Sequence, residues 1–293
     1  MDINLNSNRP SFSFEVFPPK KECDIENIYK TISDLSALSP DFMSVTYGAG
    51  GSTNKNTISI SEHIQNTHNI PAIAHLTCIS STFDTIETTL KTLREKKINT
   101  ILALRGDFPA DKDGFNLPKS YSHAVDLIMQ IKAFGGFKIG AACYPEGHIE
   151  NPNKNEDIKF IKEKADAGCD FLTTQFFFDN NHFYSFLEKL YFLDVKIPVF
   201  AGVMPITHKS QIKKMCALSG AEIPEKLKKI IDAYGDDPDS LKDAGIAYAT
   251  EQIIELLANK VSGIHIYTMN KFETSSRILN NISSIRKGFS LEN

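Results

Sequence analysis

SFSFEVFPPK, residues 11–20, begins as a strand and stops on two prolines. Side chains alternate across a strand, so Phe12, Phe14 and Val16 share one face and Ser13, Glu15 and Phe17 share the other. The apolar face suits burial against helices. The opposite face carries Glu15, a carboxylate that costs free energy inside a fold unless it is paired or used. Where that second face points decides the architecture.

Seven further β-rich runs follow: 42–48, 72–78, 100–107, 138–144, 171–178, 199–205 and 263–269. Helical periodicity fills 24–37, 55–68, 82–96, 122–134, 154–167, 180–193 and 207–218, with extra helical material over 222–258 that includes the turn-like GDDPDS. Strands separated by helices imply βαβ units and a parallel sheet. About eight units in 293 residues predict α/β architecture, a single (β/α)8 TIM barrel with extra helical material before the last strand. An open doubly wound sheet is the competing architecture, but no G-x-G-x-x-G follows the first strand. With no internal repeat and no low-complexity linker, residues 1–293 read as one domain. In a barrel, Glu15 points into the interior near the carboxyl-terminal mouth, where such enzymes hold catalytic groups.

Other strands repeat this arrangement. Ser44 with Thr46, His75 with Thr77, Arg105 with Asp107, and Thr173 with Gln175 each share a face late in their strand. Closure brings these polar sets to one mouth. A charged fraction of 23%, a formal net charge of −4 and a polar amino terminus give no global footprint for nucleic acid and no signal-peptide core. No apolar run is long enough to span a bilayer. Five scattered cysteines without a C-x-x-C pair argue against a zinc site or disulfide framework and favour a reducing cytoplasm.

Each chemistry-bearing stretch has a plain reading beside a sharper one. Glu15 is either a structural carboxylate paired with Arg105 or a buried acid whose pKa is raised by desolvation, able to donate a proton near neutrality. ALRGD, 103–107, is either an ion pair at a strand end or a phosphate contact from Arg105, a close backbone approach at Gly106 and a ligand-directed Asp107. In TQFFFD, 174–179, the phenylalanines read as core, while Gln175 offers donors and an acceptor to a ring edge. YPEGH, 144–148, places His148 in a loop, where surface histidines are commonly idle. His75 reads as a hydrogen-bonded interior group. Lys162 and Lys164 read as a solvated helix face. No His or carboxylate pair shows metal-ligand spacing, so no metal is expected.

Taken in order, FEVFPPK, VTYGAGG, HLTC, ALRGD, YPEGH, TQFFFD and YTMN resemble the methylenetetrahydrofolate reductases over about residues 11–285. The chain is similar to the short bacterial form, without the regulatory domain of the animal enzymes. The resemblance implies a flavin-dependent barrel in which NADH, or NADPH, reduces non-covalent FAD. The flavin then passes hydride to 5,10-methylenetetrahydrofolate in ping-pong fashion, giving 5-methyltetrahydrofolate. It also implies a cytoplasmic homodimer or homotetramer with folate and pyridine nucleotide as ligands, and no membrane partner.

Carried over, Glu15 matches the general acid and Asp107 the carboxylate near flavin and pterin. Gln175 matches a contact to folate and nicotinamide, and Gln211 and Lys271 fall at later substrate positions. For FAD the matches are Thr46, Tyr47, Ala49, His75, Arg105, Gly106, Asp107, Ala124, Tyr144, His148, Asp157 and Lys164. The cations Arg105 and Lys164 suit the pyrophosphate, and Asp157 suits a ribose hydroxyl. Lys271 stands where arginine is frequent, which turns a bidentate grip into a point contact. Phe160 and Glu163 replace polar or basic FAD contacts, and Met215 replaces an aromatic that stacks on nicotinamide. A proline-oxidising flavin barrel and a cofactor-free binding barrel are the rival readings; neither accounts for the ordered motifs.

Overall fold

A computed structural model describes residues 1–19, 24–47, 53–107, 118 and 120–291. Eight parallel strands close into a barrel in sequence order, β1 to β8, with β8 pairing back on β1. They are β1 Ser11–Val16, β2 Phe42–Val45, β3 Ala72–Thr77, β4 Thr100–Leu104, β5 Lys138–Cys143, β6 Phe171–Thr174, β7 Val199–Val203 and β8 Gly263–Tyr267. All eight expected strands are present, each ending one to four residues before the expected limit. The described surplus residues belong to the loops of the mouth, whose apolar and β-branched content mimics strand.

Seven helices follow the first seven strands: α1 Ile25–Ser36, α2 Thr53–His68, α3 Phe83–Glu95, α4 Ala124–Phe134, α5 Lys154–Asp166, α6 Asn180–Phe192 and α7 Lys209–Ser219. The extra material before β8 is α8 Glu225–Tyr234 and α9 Pro238–Ala258. The GDDPDS turn also starts α9, because Pro238 occupies its first turn and the Asp237 side chain caps the Asp239 amide. After β8, helices α10 Phe272–Asn281 and α11 Ser283–Leu291 complete the ring, an addition to the expected set.

The strand alternation sorts the core. Phe12, Phe14 and Val16 join the layer between sheet and helices. Ile3, Phe42, Ile73, Leu102, Phe171 and Phe200 fill the inside of the barrel at its amino-terminal end. Gly140 makes room for this plug, since a Cβ there would lie 2.3 Å from the Phe171 ring. A third cluster, including Phe176, Phe178, Met204, Ile206, Leu227 and Leu241, lies beneath the α7–α9 excursion. The QFFFD aromatics are therefore core, as expected, but split between two cores: Phe177 belongs to the main layer. Full burial of one such side chain contributes roughly 1.5–3 kcal/mol. Helix α9 fixes their backbone, because Gln252 Nε2 donates to Phe177 O at 2.9 Å and Tyr248 Oη to Phe178 O at 2.7 Å.

Candidate functional site

Glu15 lies on the interior face of β1, two residues above Ser13, and its side chain is 18% exposed. Its Oε2 is 3.6 Å from His75 Nε2 on β3 and 3.7 Å from His265 Nε2 on β8. Arg105 instead pairs with Glu150, Nη1 to Oε2 at 2.7 Å, so the Glu15–Arg105 pairing is not the arrangement found. His265 is held from both sides: its Nδ1 is 2.7 Å from Ser13 Oγ and its Nε2 is 3.3 Å from Ser44 Oγ. Above it Tyr267, strand partner of Glu15, donates its hydroxyl to Thr174 O at 2.6 Å. Burial, then the field of Glu15, pushes the Tyr267 phenol well above its ordinary range. The hydroxyl therefore stays protonated.

His75 is an interior group, as expected. Its Nε2 is buried and has no hydrogen-bond partner among the described residues. Burial pushes its pKa down to about 4, against the opposing attraction of Glu15 and with a smaller push from His265. At neutral pH this imidazole is uncharged. The Glu15–His75 approach is then a contact between a carboxyl group and a neutral ring, beyond ordinary hydrogen-bond length.

A second group gathers where β4, β5 and α5 meet. Gly106 takes φ +86°, and a Cβ there would come within 2.9 Å of Thr77 Cβ, so glycine is required for the turn that follows Arg105. That turn breaks the strand alternation and leaves Asp107 exposed. Tyr144 and His148 stack edge to face with centroids 4.6 Å apart. His148 is not idle: its Nδ1 accepts the Glu150 amide at 3.2 Å, and its own amide donates to Asp157 Oδ2 at 3.3 Å. Lys164 corrects the solvated-face expectation, because its Nζ turns inward to Ala142 O at 2.9 Å and burial lowers its pKa. Its neighbour Lys162 does reach solvent and pairs with Asp166. Burial raises Tyr144 to about 12, with Asp157 and Asp107 adding and Arg105 opposing. Burial lowers His148, with Arg105 adding to that effect. These mutual influences place Arg105, Tyr144, His148, Asp157 and Lys164 in one neighbourhood.

Of the other expected FAD residues, Thr46 donates its amide to Val16 O at 3.0 Å, and Tyr47 bonds to Thr77. Ala124 is buried at the start of α4. Ala49 lies outside the described residues. Among expected substrate residues, Gln175 sits above β6 with its amide on Cys143 O at 2.8 Å, and its Oε1 accepts the Phe176 amide at 3.0 Å. Gln211 is half-buried on α7. Lys271 caps α10, with Nζ 3.4 Å from His208 Nδ1. Phe160 is exposed and stacks on His123, Glu163 is exposed, and Met215 packs against the third core cluster.

Three groups in this site escaped the sequence reading: His265, Tyr267 and Asn270. The first two alternate inward on GIHIYTM by the rule applied to β1, so their signal was present. Asn270 carried none, because its role is tertiary. Its Oδ1 accepts the Phe17 amide at 3.1 Å and its Nδ2 donates to Phe17 O at 2.9 Å, tying the end of β8 to the end of β1.

The model of the methylenetetrahydrofolate reductase family matches residues 1–283. The chain belongs to the methylenetetrahydrofolate reductase family. It is 33% identical over 276 residues to 5,10-methylenetetrahydrofolate reductase of Escherichia coli, covering 94% of this chain and 91% of that protein. It is 33% identical over 287 residues to methylenetetrahydrofolate reductase (NADH) 1 of Arabidopsis thaliana, covering 94% of this chain and 48% of that protein. The chain thus spans about half the length of that plant relative. Among solved structures, a Clostridium thermocellum protein described as binding two copies of 5-methyl-5,6,7,8-tetrahydrofolic acid superposes with a TM-score of 0.63. At 19% identity, covering 94% of each chain, it shares the fold.

The donor set of this family member fits a dinucleotide. Two cations flank the β4–β5 end, a buried carboxylate lies within their field, and the buried His75 Nε2 has no hydrogen-bond partner among the described residues. Gly106 removes the side chain that would obstruct backbone approach.

Proposed function

We propose that this chain reduces 5,10-methylenetetrahydrofolate to 5-methyltetrahydrofolate, using NADH or NADPH and non-covalent FAD in a ping-pong cycle. The observation that carries the reading is the acid at the mouth: Glu15 between His265 and a neutral His75, inside a barrel of this family. The folate-binding description of the Clostridium thermocellum protein supports the substrate class, and the NADH in the plant relative's name supports the donor.

FAD, when bound, supplies hydride transfer between the pyridine nucleotide and the folate one-carbon unit. Thr46, Tyr47, Ala49, His75, Arg105, Gly106, Ala124, Tyr144, His148, Asp157 and Lys164 would hold it. Arg105 and Lys164 offset pyrophosphate charge, and Asp157 accepts from a ribose hydroxyl. Glu15 donates a proton to the folate amine as the five-membered ring opens, leaving an iminium carbon as hydride acceptor. Because His75 is uncharged at neutral pH, its contact with Glu15 is not an ion pair. Asp107, exposed at the rim, orients the pterin and disfavours negative charge accumulating near it. Gln175 offers its amide nitrogen to the pterin edge, its oxygen being engaged with Phe176. Gln211 and Lys271 receive the glutamate end. Residues 1–293 act as one catalytic unit, cytoplasmic and in homo-oligomers.

Stopped-flow absorbance tests the assignment. The purified protein should be yellow, bleach on NADH addition and recover colour on mixing with methylenetetrahydrofolate. A flavin reduced by NADH but never reoxidised by the folate removes the proposed substrate. A flavin reduced by proline and not by NADH transfers the chain to the rival reaction.

A further inference from the structure

The loop after β5 carries a second carboxylate that the proposed reaction does not use. Glu146 lies between Tyr144 and His148, and its side chain is only 7% exposed. Its Oε2 accepts the Glu222 amide at 2.8 Å. Its Oε1 is sealed from solvent and has no hydrogen-bond partner among the described residues. A carboxylate oxygen in that state costs free energy, and burial accordingly raises the Glu146 pKa. Two more metal-ligating groups face it. His182, in the first turn of α6, brings Nε2 to 4.0 Å from Glu146 Oε2, and one ligand atom from each of Glu146, His182 and Glu222 lies within 4.8 Å of the others.

We propose that Glu146, His182 and Glu222 form a divalent transition-metal site of the zinc class, clamping three segments of the carboxyl-terminal rim. The donor set suits such an ion: one imidazole nitrogen and two carboxylates, with charges that balance the cation. Coordination through Oε2, the oxygen that faces His182, would offset the cost of burying the Glu146 carboxylate. The ligand atoms must draw together by about 1 Å, and the half-buried His182 and the exposed Glu222 have the freedom to do so. The clamp would join the β5–α5 loop to the start of α6 and to the α7–α8 connection. No local spacing reveals it, because positions 146, 182 and 222 meet only through barrel closure.

The other charged groups at the site set its affinity. Lys154 Nζ lies 3.8 Å from Glu222 Oε1 and competes for the same carboxylate. The Cys216 thiol also lies in the field of Glu146; burial and that field raise it to about 11, so it stays a thiol at neutral pH.

Calorimetric titration of Zn2+ into the EDTA-treated full-length protein at pH 7.5 tests the proposal. One ion per chain should bind, and the melting temperature should rise by about 5 °C at saturating Zn2+. His182→Ala, at a half-buried rim position, should keep the fold and weaken Zn2+ binding on the order of 100-fold, at least as much as loss of a supporting partner costs. Glu222→Gln should weaken it in the same direction. Lys154→Met keeps the methylenes packed on Gly147 and should tighten binding a few-fold. Mg2+, which disfavours imidazole, should give no comparable heat. The proposal is overturned if the wild type binds no stoichiometric Zn2+. It is equally overturned if His182→Ala binds as the wild type does, which would trace binding to thiols or scattered carboxylates.

Discussion

The floor and the mouth of the barrel interior are furnished by the same strands, one pleat apart. Phe42, Ile73 and Phe171 close the floor, and two residues further along stand Ser44, His75 and Thr173. On β7 the same step leads from Phe200 to Gly202, where a Cβ would meet Thr174 O at 2.4 Å. The floor gains from dispersion and apolar burial. The mouth holds an uncharged imidazole whose Nε2 has no hydrogen-bond partner among the described residues, beside a carboxyl group, an arrangement that costs stability. A strand of four to six residues thus stabilises at its start and presents polar groups at its end.

The largest effect should separate the two ends by activity. Glu15→Gln preserves size and hydrogen bonding but removes the transferable proton. The NADH half-reaction should change little, while folate-dependent flavin reoxidation should fall about 10²–10⁴-fold, the usual contribution of a general acid. Stopped-flow traces of the two half-reactions measure this directly, and equal losses in both would remove Glu15 from the acid role. Phe171→Ala should do the reverse. The ring is fully buried against Phe200 and over Gly140, so its loss should cost roughly 3–5 kcal/mol in urea unfolding. In protein that remains folded, the ratio of the half-reaction rates should stay near its wild-type value.

Acid should sharpen the comparison. His75 titrates near its ordinary value of ~6.5 when unfolded and at about 4 when folded. Between those values the unfolded chain binds more protons, so stability is complete above about pH 6.5 and declines as pH falls towards 4. The full loss attached to this one group is about 3 kcal/mol. Urea midpoints at pH 7 and 4.5 for the wild type and His75→Gln isolate it, because the carboxylates lose stability in both proteins. A slope unchanged by the substitution would mean that His75 is charged at the mouth.

How far the sequence foretold this contrast depends on the range of the interaction concerned. Period-two alternation in SFSFEVF places Glu15 inward and Phe14 outward, because a one-residue change of face would bury or expose an entire set. The eight strands were legible for the same reason, and the helices before β8 from their helical periodicity. Strand ends were not, since QFFF continues the composition of a strand after its pairing has stopped. Arg105 illustrates the harder case: a carboxylate was expected beside it, yet the partner is Glu150 from the next loop. Lys164 looked solvated on its helix, and only the packing of α5 on β5 turns its amine to Ala142 O. The departures at Phe160 and Met215 place one ring on the surface and one thioether against a core, distinctions that depend on neighbours distant in sequence.

The smallest expected effect lies where β8 returns to β1. Met269 and Asn270 both take left-handed backbone angles, φ 51° and 55°, and asparagine tolerates that region better than most residues. Asn270 also clamps Phe17 through both of its amide atoms, fixing the loop just above Glu15. Asn270→Ala loses the clamp and places a less tolerant residue in the left-handed turn. Asn270→Gly loses the clamp while relieving the turn. Two exposed hydrogen bonds of this kind contribute about 1–2 kcal/mol together. If the clamp sets the height of Glu15, both variants should slow folate-dependent reoxidation by a similar few-fold factor, with flavin reduction by NADH unaffected. If backbone conformation alone matters, Asn270→Gly should match the wild type in both half-reactions and only Asn270→Ala should suffer. Denaturation midpoints read alongside the rates separate the two causes, because turn strain shifts stability in the alanine variant more than in the glycine one.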